Sequence, residues 1–263
     1  MACTDIDIKT WERAEIERSD VEAELTATLV SRDREANIAR YLDPPCHTSF
    51  PLEYAFHLLG DVRSKTVLEL GCGSGEYSHL LARRGAEVWS MDISESLIGL
   101  AKRRAVANQV SEAVSFFVGS AYEIPLSDEL VDVVFGIAIL HHLDLELASR
   151  EVKRVLKRGG RAIFKEPVRN SKFIRGLRSL IPYQAPDVSP FERPLTDREM
   201  EDFAKGFSGY KSRPFLLPYT SAAGIIPVVR HRTDGLLHLD RYLLNHFPSL
   251  GYYAGIRVVE MIK

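Results

Sequence analysis

The chain has 263 residues, 45% hydrophobic and 27% charged, with 34 Lys+Arg against 36 Asp+Glu and a formal net charge of -2. This composition supplies a sizeable core and excludes disordered and fibrous classes, and the balanced charge lacks the basicity that a nucleic-acid partner requires. Cys3, Cys46 and Cys72 are too few for a disulfide framework and have no zinc spacing, and no apolar run reaches the length of a membrane span or forms a signal-peptide core, so the expected setting is the reduced cytoplasm.

Residues 1–25 carry eight acidic and three basic side chains, with Trp11, Ile16, Val21 and Leu25 spaced as one helical face, the pattern of a docked arm. A helix-like stretch at 31–42 ends at Asp43-Pro44-Pro45, and Pro51 opens an apolar helix that runs to Gly60. From Lys65 short apolar strands alternate with helical patterns: strand 66–70, helix 75–84, strand 87–91, helix 94–108, strands 114–118 and 131–137, and helix 145–156. A turn at Gly159-Gly160 then leads into strand 161–166. The rhythm predicts an α/β fold with a parallel sheet covered on both faces.

Beyond Pro167 the pattern changes. Residues 171–181 read as a basic amphipathic helix, pairing Phe173, Ile174, Leu177 and Ile181 with Lys172, Arg175 and Arg178, a composition suited to core packing or to weak contact with a membrane surface or lipid-like substrate. Four prolines punctuate 182–194, and Thr196-Asp197-Arg198-Glu199 is a capping box. Residues 209–217 and 251–262 are strand-like, with helix-like pieces at 219–229 and 233–245 between them.

The segment with chemical content is Glu69-Leu70-Gly71-Cys72-Gly73-Ser74-Gly75, a glycine-rich turn directly between a buried strand and a helix, where backbone can approach a ligand closely. It is no dinucleotide fingerprint, because Glu76 stands where the third glycine would be and would repel a pyrophosphate, and no P-loop lysine follows. Asp92, seventeen residues after Gly75, falls at the carboxyl end of the next strand, where a carboxylate suits a pair of ribose hydroxyls.

With that pairing, residues 60–167 resemble the class I S-adenosylmethionine-dependent methyltransferases, in particular the small-molecule branch that includes the ubiquinone and menaquinone biosynthesis enzymes. Three further segments carry the resemblance: Gly119-Ser120-Ala121-Tyr122-Glu123-Ile124-Pro125-Leu126, Phe135 to Leu143, and Glu151 to Gly160. The resemblance implies a doubly wound, seven-stranded, mostly parallel sheet with an antiparallel last strand. Residues 1–60 would form a helical arm and cap, 61–167 the cofactor-binding core, and 168–263 cap insertions plus the last two strands.

It further implies that S-adenosylmethionine binds through Glu69, Gly71, Cys72 and Gly73 at its methionine moiety and through Asp92 at its ribose, with Ile93 on the adenine. Ser120 and Ala121 would flank the adenine, Ser120 standing where the family pattern has an aspartate, and Ile137 would lie under the sulfonium. S-adenosylhomocysteine would be the product, and methyl transfer to O, N or C of a small, largely apolar acceptor the reaction. An RNA or protein methyltransferase, or a scaffold of the same fold without turnover, remain the alternative readings.

His141, His142 and Glu166 are the candidates for a general base, since imidazole can take a proton near neutral pH. Cys72 reads as a small packing residue rather than a nucleophile. Tyr41, Tyr54 and His57 in the N-terminal cap are the candidates for acceptor contact. No metal is expected: the strand ends offer His141-His142 and Glu166-Pro167 rather than an oxygen-rich Mg²⁺ site. The stretch after strand four, Gly136-Ile137-Ala138-Ile139, lacks the Asn/Asp-Pro-Pro-Tyr of amino-group methyltransferases acting on adenine, cytosine or glutamine. Together with the neutral charge, this argues against a nucleic-acid substrate.

Overall fold

The computed structural model describes residues 8–172, 193–225 and 233–263. Seven strands form one sheet in the order β3-β2-β1-β4-β5-β7-β6: β1 (Thr66–Leu70), β2 (Glu87–Asp92), β3 (Val114–Val118), β4 (Val131–Ile137), β5 (Leu156–Pro167), β6 (Gly209–Phe215) and β7 (Ile256–Ile262). The first five pair in parallel, and β7 runs antiparallel to both neighbours, β5 and β6. The chain moves outward from β1 to β3 and returns to β4 on the other side of β1. That reversal opens a crevice at the carboxyl ends of β1 and β4, where ligands bind in open α/β sheets.

The strand residues are apolar on both faces because both faces are covered. Leu68 and Leu70 of β1 join Val134, Phe164 and Val259 in one core cluster, and Val67 joins Val133, Phe135, Ile163 and Val258 in the other. Helices α2 (Glu35–Leu42), α3 (Pro51–Leu59) and α4 (Ser78–Arg83) supply Ile38, Phe56, Leu59 and Leu81 to the second cluster. On the first, α6 (Leu145–Val155) and α7 (Asp197–Phe203) supply Val152, Met200 and Phe203. Helix starts carry their caps: Ser94 Oγ accepts from Leu97 N at the start of α5 (Glu95–Ala107), Asp144 from Glu146 N and Leu147 N at α6, and the expected Thr196/Glu199 capping box opens α7.

Several boundaries differ from the sequence reading, each for a local reason. The glycine turn delays α4 until Ser78, and the last strand begins at Ile256 because Pro248–Tyr253 forms a 3-10 turn. Gly159-Gly160 lies within β5 as an irregularity: the pairing with β4 shifts register between Val131 and Val133, and Gly159 has φ +74°. Helix α8 (Pro218–Ile225) and α9 (Thr233–His246) correspond to the two late helical pieces, and residues 226–229 of the first lie outside the described residues. So do 173–181 of the basic amphipathic segment. No helix among the described residues is long and apolar enough to cross a membrane.

The arm docks as α1 (Ile8–Thr26), but of the expected face only Trp11 turns to the cavity. Glu15, Ser19 and Ala23 are buried, whereas Ile16, Val21 and Leu25 are 37%, 39% and 61% exposed. Ala23 packs on Leu97 and Leu100 of α5. The rest of the inward face covers a polar cavity rather than a core, so its side chains are charged.

Candidate active site

The crevice between β1 and β4 holds a cavity of ≈ 360 Å³, within the size range of sites that enclose one small organic ligand. Its floor is the glycine turn. Gly71 has φ +70°, and a Cβ there would lie 2.5 Å from Ile139 Cδ1, so neither the backbone conformation nor the space admits a side chain. Gly75 (φ +78°) lets the turn press on α5, where a Cβ would come within 2.8 Å of Ala101 Cβ. The amides of Gly71 and Cys72 both donate to the Met91 carbonyl at 2.9 Å, tying the turn to the end of β2.

Asp92 follows on β2 and lines the cavity while 9% exposed. Its Oδ2 accepts from Gly73 N at 2.8 Å and its Oδ1 from Ser94 N at 3.0 Å. A carboxylate has about four acceptor positions, so each oxygen keeps capacity for a ligand hydroxyl. Burial raises the pKa of Asp92 against the opposing effect of those amides.

Glu69 lies beneath the turn and does not line the cavity. Oε2 accepts from Ser78 Oγ at 2.5 Å and Ser90 Oγ at 2.7 Å, and burial raises the Glu69 pKa to about 7 against those bonds, with Asp92 adding repulsion. Its place is that of a support for the turn rather than a contact to a ligand. Cys72 lines the cavity as a buried thiol whose pKa burial pushes well up, leaving no thiolate for nucleophilic chemistry. Gly71, Gly73, Ile93, Ser120, Ala121 and Ile137 all line the cavity.

The back wall is the turn after β4. Ala138 has φ +57°, a conformation costly for a non-glycine residue, and the end of β5 holds it there. Ala138 N donates to the Lys165 carbonyl at 2.8 Å, and Ile139 N and Leu140 N both donate to Glu166 Oε1 at 2.9 Å. The other Glu166 oxygen lies 2.8 Å from His141 Nδ1. Glu166 is therefore fully buried and engaged on both oxygens, and His141 lines no part of the cavity. These two general-base candidates brace the wall instead. His142 does face the cavity, its ring 4.1 Å from that of His141 and its Nδ1 3.1 Å from Glu15 Oε2.

The cap candidates are elsewhere. Tyr41 packs on Phe56 at 5.2 Å between ring centroids, Tyr54 contacts Phe215 and the Arg213 guanidinium, and His57 Nδ1 lies 2.9 Å from the Pro44 carbonyl. None of the three lines the cavity, because α3 turns its aromatic face into the core.

The roof is α1, part of the arm and cap expected of residues 1–60, but the sequence reading named none of its residues at the site. Glu12, Glu15, Ser19 and Glu22 line the cavity, and their spacing of three and four is a polar stripe that a search for apolar faces passes over. Ser120 Oγ donates to Glu12 Oε1 at 2.5 Å and accepts from Tyr122 N, so a carboxylate from α1 stands beside the serine that replaces the family's aspartate. Lys165 is the other omission. It lines the cavity from the end of β5, where its signal is a lone cation within the apolar run Ala162-Ile163-Phe164.

Residues 68–164 match the family described as a methyltransferase domain. The ubiquinone biosynthesis O-methyltransferase of Alkalilimnicola ehrlichii is 32% identical over 176 residues, which cover 61% of this chain and 70% of that protein. The demethylmenaquinone methyltransferase of Symbiobacterium thermophilum is 32% identical over 114 residues, 41% of this chain and 45% of that protein. Among solved structures, geranyl diphosphate C-methyltransferase from Streptomyces coelicolor shares the fold with a TM-score of 0.60 over 96% of both chains, at 15% identity.

Proposed function

We infer the reaction from family membership: the chain belongs to the class I S-adenosylmethionine-dependent methyltransferases. We propose that the cavity between β1 and β4 binds S-adenosylmethionine and that the product is S-adenosylhomocysteine. The observation that carries this reading is the joint lining of one enclosed cavity by the Gly71–Gly73 backbone and a buried Asp92 with unused acceptor capacity. Gly71 and Gly73 would receive the methionine portion, Asp92 the ribose diol, and Ile93, Ser120 and Ala121 the adenine, with Glu12 facing the same end. The cofactor supplies an electrophilic methyl group on a sulfonium.

The protein's contribution is positioning and exclusion of water. The turn Ile137–Ile139, held by Glu166, presents an apolar wall to the reacting centre, and α1 closes the cavity from above, which strengthens the electrostatic interactions inside it. The acceptor is a small molecule. The known relatives support this reading: those named above act, by their names, on quinone precursors and an isoprenoid diphosphate. Titration calorimetry with S-adenosylmethionine, S-adenosylhomocysteine and NADH tests it. Micromolar binding of the two sulfur nucleosides without NADH is expected, and failure of both to bind folded protein would overturn it.

A further inference from the structure

Three basic side chains line the cavity. Arg18 on α1 is neutralised by Glu15 at 3.1 Å and Glu22 at 2.8 Å, and His142 lies 3.1 Å from the same Glu15. Lys165 is the third, and among the described residues its ammonium has no ion-pair or hydrogen-bond partner. The adjacent Glu166 points to the opposite face of β5 and is engaged by Ile139, Leu140 and His141. Lys165 instead stands in register with Ile137 on one side and Val258 on the other, so its stem runs over apolar neighbours and its head reaches the cavity. Burial pushes its pKa below the ordinary lysine value against the opposing charge of Glu166, and an anion in the cavity would offset that penalty.

Its place in the sheet separates it from the cofactor end. In the order β2-β1-β4-β5, the glycine turn leaves β1 and Asp92 ends β2, whereas Lys165 is on β5. At about 4.8 Å per strand spacing, Lys165 starts roughly 10 Å from the glycine turn and about 14 Å from Asp92, beyond the Ile137–Ile139 wall.

Resting on the methyltransferase reading above, we propose that Lys165 is the acceptor-side cation of this pocket and that the acceptor is an acidic hydroxyl, a phenol, enol or carboxylic acid, bound as its oxyanion against the ammonium. The hydroxyl proton passes to buffer on binding, because the fixed positive charge favours the ionised form. The oxyanion's lone pair then forms the bond to the methyl carbon of S-adenosylmethionine as the carbon–sulfur bond breaks, its electron pair remaining on sulfur. The products are the O-methylated acceptor and S-adenosylhomocysteine, Lys165 stays protonated, and one proton is released. A cationic amine acceptor would be repelled from this end of the cavity.

The test uses the full chain saturated with S-adenosylhomocysteine and titrated with 4-nitrophenol, whose phenolate absorbance reports both binding and ionisation. In the wild type the bound phenol should ionise at lower pH than the free phenol. Lys165→Met should weaken phenolate binding about tenfold or more and abolish the shift in ionisation, whereas Lys165→Arg should retain most of both. The affinity of both variants for S-adenosylhomocysteine should stay within about twofold of wild type, which also reports that they are folded. A parallel loss of S-adenosylhomocysteine affinity would overturn the proposal by assigning Lys165 to the cofactor's carboxylate. Equal phenolate binding by wild type and Lys165→Met, or no saturable phenolate binding by the loaded wild type, would overturn it as well. Failure of the wild type to bind S-adenosylhomocysteine at all would instead strike the cofactor reading.

Discussion

The floor and back wall of the cavity are built from residues 69–75, 91–93 and 137–142, where backbone amides, a strained turn and buried carboxylates fix the surface a ligand would meet. The roof is α1, a helix with an exposed apolar outer face whose charged inner side chains reach down from a distant part of the chain. In the floor each polar group is held by two or three partners inside the protein. The roof meets the floor and wall through side-chain contacts: Glu12 with Ser120, Glu15 with His142, and Ser94 with Asp20 at 3.4 Å. A rigid base and a lightly fastened cover let one pocket be both preorganised and enterable, since local opening takes its free energy from the region with the fewest buried contacts.

The sharpest way to break this comparison is to remove one carboxylate from each part. Glu166→Ala strands Ile139 N, Leu140 N and His141 in a buried site and should cost about 4 kcal/mol in urea unfolding, whereas Glu22→Ala on α1, whose side chain is 34% exposed, should cost under about 1 kcal/mol. Equal losses would mean that the roof is as integral to the fold as the wall.

Glu69 tests the floor by pH. Its folded-state pKa of about 7 lies above the ordinary 4.5, so the folded protein keeps a proton that the unfolded chain has released. Stability therefore falls as pH rises through that window and levels off above it. The difference in unfolding free energy between wild type and Glu69→Gln should change by about 3 kcal/mol across the window, with wild type the loser at the higher pH. A flat difference would show Glu69 ionised throughout.

Asp92→Ala carries the comparison to the ligand. Loss of a charge-assisted contact to a diol should weaken S-adenosylhomocysteine binding by about 2 kcal/mol, roughly thirtyfold, measured by calorimetry. Unchanged affinity would remove Asp92 from the cofactor site. Glu12→Ala should have the smallest effect, about 1 kcal/mol or less on the same binding. A double-mutant cycle with Ser120→Ala should return most of that as coupling between the two residues.

How far the site was legible follows the same division. The glycine turn and Asp92 could be read directly, because a backbone conformation that excludes Cβ and a carboxylate at a strand end are local properties that residue type and spacing encode. The back wall was half legible. His141, His142 and Glu166 were rightly placed near the cavity, but which of two adjacent histidines faces it depends on the turn at Ala138, whose positive φ no alanine announces. The roof was misread because apolar spacing on α1 was taken as its docking face. That inference assumes a helix packs on a core, and α1 covers a polar cavity. Tyr41, Tyr54 and His57 were likewise named for their chemistry and proved to be packing residues of α2 and α3.

The sequence by itself determined the α/β class, the order and approximate limits of the strands from 66 to 166, the capping box at Thr196 and the ligand-facing turn. All of these rest on periodicities of two and 3.6 residues and on the few residues that permit special backbone geometry. Tertiary structure alone decided that β7 enters between β5 and β6, that Glu166 is a brace, which side chains α1 turns onto the cavity, and that Lys165 lines it with no ion-pair or hydrogen-bond partner among the described residues. Those outcomes depend on which charges meet across long stretches of chain, and a charge carries no mark in the sequence of the partner it will find or lack.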